Sequence, residues 1–143
     1  MKKILLTVCV CLLCCESYVA AESLTETDWQ TWFDLSQEDV IQRKGEPDGK
    51  VLLYKEQSDG LWILTEFRFI QDKLVAVKLM PTGNEHPPYQ DTYRQLAGKF
   101  TATYGTPTNT VNQNGVEKII WVLEDMQVTL ALEERWIIIF QKR

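Results

Sequence analysis

Hydrophobic positions change period several times along this chain, and the changes divide it into elements. Between residues 89 and 104, Tyr89, Tyr93, Leu96, Ala97, Phe100 and Tyr104 recur at helical spacing, which predicts an amphipathic helix with an aromatic stripe on its buried face. Pro87 and Pro88 precede it, while Gly105 and Pro107 end it, the glycine supplying a left-handed cap and the proline blocking continuation. An earlier segment follows the same grammar. Ser36 and Asp39 form a capping box ahead of Val40 and Ile41, and Gly45 and Pro47 close that short helix. Upstream, Leu24, Trp29, Trp32 and Phe33 predict a further short helix over residues 23–33, with Thr25 and Thr27 as its capping candidates.

After each glycine–proline stop the period falls to two. Strands are predicted over residues 51–54, 61–70 and 74–80, with turns at Ser58-Asp59-Gly60 and Gln71-Asp72-Lys73. In the long strand Leu61, Ile63, Phe67 and Phe69 face one way, and Trp62, Glu66 and Arg68 the other. Val75, Val77 and Leu79 are expected on the core face of the next strand, which puts Lys78 beside Glu66 and Arg68. The second half predicts strands over residues 108–111, 116–123, 127–132 and 136–141, with a turn at residues 112–115. Val128, Leu130 and Leu132 share one face of their strand. Residues 136–140 are apolar on both faces, as a central or covered strand requires. The breaker-rich stretch 81–88 joins the halves. The expected fold is α+β: two tandem helix–β-meander repeats, about residues 22–80 and 89–143, forming an antiparallel sheet with helices packed on one face.

Residues 1–21 change the picture of where the protein works. Lys2 and Lys3, an apolar run from Ile4 to Cys15 and the small residues Val19, Ala20 and Ala21 have the layout of a secretory signal peptide cut after Ala21. The run is too short to span a bilayer comfortably. A lipoprotein signal anchored through Cys15 competes with this reading, although Cys14 occupies the position where such signals carry a small residue. Cys9, Cys11, Cys14 and Cys15 all fall within the segment, so the processed chain, residues 22–143, would have no disulfides, thiol catalysis or thiolate metal site. Removing Lys2, Lys3 and Glu16 from 15 basic and 20 acidic residues leaves 13 against 19. That balance disfavours nucleic acid or an anionic membrane and leaves room for a basic protein partner. A periplasmic or secreted monomer or weak dimer is expected.

Catalytic chemistry is sparse. His86, the one histidine, lies in the proline-rich stretch beside Glu85, where a solvated role is the ordinary one. Ser23, Ser36 and Ser58 lack any nucleophile-elbow context, and Ser36 already has a capping task. The pairs Glu124-Asp125 and Glu133-Glu134 fall at strand turns. No glycine-rich phosphate loop occurs, and no cofactor or metal is expected.

The segments from Ser36 to Val40 leading into Gly45-Glu46-Pro47, and from Tyr93 to Tyr104 leading into Gly105-Thr106-Pro107, carry a resemblance. Their order resembles the tandem helix-plus-meander architecture of β-lactamase-inhibitory protein, whose single repeat is similar to envelope assembly lipoproteins of the BamE and SmpA type. The processed chain departs from the former in having no disulfides and from the latter in its lipobox, so the resemblance implies an architecture and not either activity. It implies a sheet with helices on one face and the other face free to meet a protein. The expected function is therefore non-enzymatic protein binding by an exported bacterial envelope protein: an assembly factor, an inhibitor of a secreted hydrolase, or an immunity protein. The candidate binding residues are Trp62, Glu66, Arg68 and Lys78. The alternative is a small-ligand binder or unrecognised enzyme with a pocket between helices and sheet.

Overall fold

The computed structural model describes residues 23–83 and 89–143. The proposed signal segment, its cysteines, and the Glu85, His86, Pro87 and Pro88 features lie outside the described residues. Seven antiparallel strands form one sheet: β1 (Leu53–Ser58), β2 (Leu61–Ile70), β3 (Lys73–Pro81), β4 (Asn109–Gln113), β5 (Val116–Val122), β6 (Met126–Leu132) and β7 (Trp136–Lys142). Their spatial order is β1-β2-β3-β7-β6-β5-β4. Two α-helices, α1 (Gln37–Lys44) and α2 (Tyr89–Tyr104), and a 3-10 turn at Trp29–Trp32 complete the α+β fold.

Three of the five hairpins turn on two residues, and their chemistry is local. Asp59-Gly60 and Asn114-Gly115 both hold positive φ at their two central positions, the conformation that matches the right-handed twist of the flanking strands. Gln71-Asp72 does the same without a glycine. The three-residue turns expected at 58–60 and 71–73 and the four-residue turn at 112–115 are therefore tighter than predicted, and the strands longer. β1 extends through Lys55, Glu56 and Gln57 to Ser58, since pairing with β2 from Leu61 to Glu66 carries polar residues into an edge strand, and Val51 stays outside it. β4 moves toward the chain terminus for the same reason, pairing Gln113 with Val116.

Two other expectations need correction. Residues 23–33 form a single 3-10 turn with Asp28 at its N-cap, and neither Thr25 nor Thr27 caps it; the Thr27 hydroxyl donates back to the Ser23 carbonyl at 3.0 Å. In β3, Val75 is not a core residue of the Val77–Leu79 set. Arg68 pairs with Ala76 but Phe69 pairs with Leu74, so Val75 is the extra residue of a β-bulge and Leu74 takes the core position. The continuous apolar run Leu74-Val75-Ala76-Val77 gives no periodic sign of it.

The core lies between one sheet face and the helical layer. Val40 of α1 and Tyr93, Leu96 and Phe100 of α2 pack with Ile63, Phe67, Leu79, Val128, Leu130, Ile138 and Phe140 in one cluster. An aromatic file crosses it: Tyr54 meets Phe67 at 5.7 Å between ring centres, Phe67 meets Trp29 at 5.8 Å, Trp29 meets Phe140 at 6.4 Å, and Phe140 meets Phe100 at 6.1 Å. The Trp29 indole N–H donates to the Leu24 carbonyl at 3.0 Å, so the ring is buried with its polar atom satisfied. Both helices end on glycines at positive φ, Gly45 at 89° and Gly105 at 88°. Each glycine carbonyl accepts from an aromatic side chain of the following meander, Gly45 from Tyr54 at 2.8 Å and Gly105 from Trp121 at 3.0 Å.

Candidate functional site: the open face of the sheet

Alternation alone decides what the second sheet face presents. With Ile63, Thr65 and Phe67 turned to the core, Trp62, Leu64, Glu66 and Arg68 turn outward on β2. Register then extends this face across the sheet. Leu53 of β1 pairs with Glu66, Glu66 with Lys78, Lys78 with Ile139 of β7, and Ile139 with Thr129 of β6. Ile120 of β5 pairs with Thr129, and Asn109 of β4 with Ile120. The described α-helices pack with the opposite face.

The four residues singled out from the sequence do share this face, but they form two groups. Glu66 and Lys78 are direct cross-strand partners and Arg68 pairs with Ala76. Together with Ala76, Ile139 and Gln141 they line a depression of about 80 Å³ whose floor is open because Ala76 has no bulk. Trp62 stands four residues along β2 from Glu66, roughly 13 Å away at the rise of an extended strand. It is 48% exposed, and the Lys55 ammonium lies 5.5 Å from its ring centre, within cation–π range. Its backbone carbonyl accepts from Thr82 N–H at 2.8 Å, which fixes the strand beneath a side chain that stays largely in water.

Residues that the sequence reading did not gather complete the face: Leu53, Leu64, Met80, Ile139, Ile120 and Val122. Most are half-buried, while Leu53 and Val122 are among the exposed large hydrophobics. Their grouping depends on the β3–β7 seam, a pairing between residues about sixty positions apart that periodicity does not reveal. One signal did point to them: a strand apolar on both faces from Trp136 to Phe140 must put Ile137 and Ile139 opposite the core.

Electrostatically the face is the reverse of the chain as a whole. Lys55, Arg68, Lys78 and Lys118 project from it, and Glu66 is its one carboxylate among the strand residues described. The chain carries 20 acidic to 15 basic residues. The ion pairs among the described residues, Lys44–Glu56, Lys99–Glu26 and Lys142–Asp34, involve none of these four cations, and Glu66 is the one carboxylate that faces them. Net charge suggested a basic partner; the strand residues of this face carry four cations to one carboxylate.

Other sites offer less. A pocket of about 90 Å³ between α2 and the β1–β2 hairpin is lined by Thr25, Asp59, Gln95, Leu96, Lys99 and Trp136, among others, and two larger hollows, of about 290 Å³ and about 340 Å³, lie against α2 at Glu26 and Tyr104 and beside residues 48–53. The buried Trp136 indole N–H has no hydrogen-bond partner. Burial, and then the neighbouring Glu117 carboxylate, pushes the Tyr93 hydroxyl up to about 12, yet that oxygen makes no hydrogen bond of normal geometry. Among the described residues, no group of three or more His, Cys, Asp or Glu is placed to hold a metal ion, and no helix is long and apolar enough to cross a membrane.

Comparison with protein-family models, with curated proteins and with solved structures finds no match for this chain.

Proposed function

We propose that this is a non-enzymatic, exported bacterial envelope protein that binds another protein through the open face of its sheet. One observation carries the reading: a seven-stranded face that mixes aliphatic residues such as Leu64, Met80, Ile139 and Ile120 with a few charges, with Trp62 half exposed at one end, has no helical cover among the described residues. An aromatic anchor amid half-buried aliphatics and a few charges is the composition of a recognition patch. The role is that of an assembly factor, an inhibitor of a secreted hydrolase or an immunity protein, acting in the periplasm or outside the cell. Export rests on residues 1–21, with cleavage after Ala21 favoured over lipidation at Cys15; intact mass distinguishes the two. Duplication of a helix–meander unit is part of the proposal, supported by the matched glycine caps and their aromatic donors from Tyr54 and Trp121.

Affinity chromatography from the periplasm supplies the partner, after which Trp62→Ala and Arg68→Glu are measured separately for affinity and thermal stability. Loss of affinity at unchanged stability supports the reading. Loss of stability with affinity unchanged in the folded fraction returns Trp62 to a packing role and removes this face as the functional surface. The small-ligand alternative is favoured by one feature, the unpartnered Trp136 N–H beside the 90 Å³ pocket.

A further inference from the structure

We infer that the partner of the open face is an acidic protein surface, an extended segment or loop whose carboxylates meet Arg68, Lys78 and Lys55 while its apolar side chains lie against Trp62 and Ile139. This rests on the reading of the open face as a protein-docking surface and adds the chemistry of what docks. The argument is charge segregation. In a chain with more acids than bases, four lysines and arginines project from one sheet face against a single glutamate, and no ion pair among the described residues neutralises them. The remaining carboxylates of the strands, Glu56 and Glu117, belong to the helical side, Glu56 paired there with Lys44 of α1 and Glu117 near Tyr93 of α2.

Geometry narrows the ligand further. The depression at Ala76, about 80 Å³, is lined by Arg68 and Lys78 with Ile139 and Gln141 beside them and a single carboxylate, Glu66, opposite Lys78, so two cations against one anion leave a net positive hollow for one carboxylate-bearing side chain of a partner, its charge toward Arg68 and its stem on the isoleucine. Lys55 and Trp62 form a second station, with Trp62 roughly 13 Å along the strand from the Glu66–Lys78 pair and roughly 20 Å from the Arg68–Ala76 pair, spacings an extended partner segment covers in about four to six residues. Polyanions are disfavoured because the rest of the molecule is acidic: a duplex or an anionic bilayer that reaches these few cations also meets the field of the other carboxylates. Apolar rows between the cations likewise match a protein surface better than a phosphate backbone.

The test uses protein produced from the full sequence, isotopically labelled, and three short extended peptides that alternate tyrosine and valine with glutamate, with lysine or with threonine. The glutamate peptide should shift the backbone amides of Arg68, Ala76, Lys78 and Ile139 and bind more than about tenfold tighter than the other two at low ionic strength. Raising NaCl from about 0.05 M to about 0.5 M should remove most of that advantage. The double variant R68E/K78E should lose it, and R68Q/K78Q, which avoids new repulsion, should lose most of it while the amide spectrum stays folded. If the threonine peptide binds this face equally tightly, and Trp62→Ala weakens both alike, the acidic preference falls while the docking face stands. If no peptide moves an open-face amide, both readings fall. Tighter binding of phosphatidylglycerol vesicles or duplex DNA than of the glutamate peptide overturns the inference in favour of a polyanion surface.

Discussion

Replacing Gly105 by valine isolates the energetic role of the α2 stop. Gly105 sits at φ 88°, its N–H bonded to the Thr101 carbonyl at 2.9 Å and its own carbonyl receiving the Trp121 indole at 3.0 Å. A Cβ added there meets nothing within 4 Å, so no neighbour has to move and the cost is one of backbone conformation alone. Holding an L-residue in the left-handed region costs about 1–2 kcal/mol, and β-branching raises it, so about 2 kcal/mol is expected. At the entropy of unfolding of a chain this size, that lowers Tm by roughly 7 °C. Thermal and urea denaturation followed by circular dichroism measure it, with unchanged m-value as the sign that the native state is the one affected. Gly105→Asn should lose less, since asparagine tolerates positive φ. Gly98 supplies the internal control: it lies inside the same helix with open space at its Cβ, so Gly98→Ala should stabilise by about 0.5–1 kcal/mol. A Gly105→Val protein that melts with the wild type, or a Gly98→Ala protein that melts lower, would refute the placement of the helix end.

Further expectations concern the caps, the core and alkaline pH. Ser36→Ala should cost about 1 kcal/mol, and NMR titration should show Asp39 returning toward the ordinary carboxylate range, because the Ser36 side-chain and backbone hydrogen bonds hold its pKa down. A depressed carboxylate pKa contributes stability above the unfolded value that is lost as pH falls through the folded one, so the variant's deficit should shrink in acid. Trp29→Ala, at the centre of the aromatic file and 1% exposed, should cost about 3–5 kcal/mol by denaturant melts. Tyr93, raised to about 12 from 10.0, keeps its proton in the folded state where the unfolded chain loses it. Stability should therefore decline as pH rises from 10.0 to about 12, and Tyr93→Phe should remove that tyrosine's share of the decline; an identical alkaline profile would contradict it.

What was legible in the sequence was what short-range chemistry decides. β2 and α2 begin and end where alternation and the glycine–proline stop place them, and the Ser36–Asp39 capping box forms as spaced. Trp62, Glu66, Arg68 and Lys78 share a face because period two is enforced by the backbone itself. The bulge at Val75 was not legible, since apolar residues on both sides of it hide the change of phase. Nor was the full candidate site: Lys55 lay beyond the predicted end of its strand, and Lys118 and Ile139 join the face only through the β3–β7 seam, whose pairing is chosen by shape and burial across the whole sheet. Net charge says nothing of this face for a related reason: it averages over faces that strand geometry separates.

The seam between β3 and β7 has a consequence for folding kinetics. Only Ala76 to Leu79 and Ile138 to Gln141 are paired across it, at separations of about sixty residues, whereas every other strand pair closes a hairpin. Local hairpins close in microseconds, so each meander can form early and the seam must wait for loop closure. Until it does, β3 and β7 are free edges, flat and rich in valine, leucine and isoleucine, the kind of edge that recruits a second chain. Misassembly should therefore begin at strands that lie deepest in the finished sheet, by exchange of whole meanders between molecules. A chain that emerges N-terminus first exposes β3 well before β7 arrives to cover it, and a chaperone that holds unfolded chains would find its binding site there.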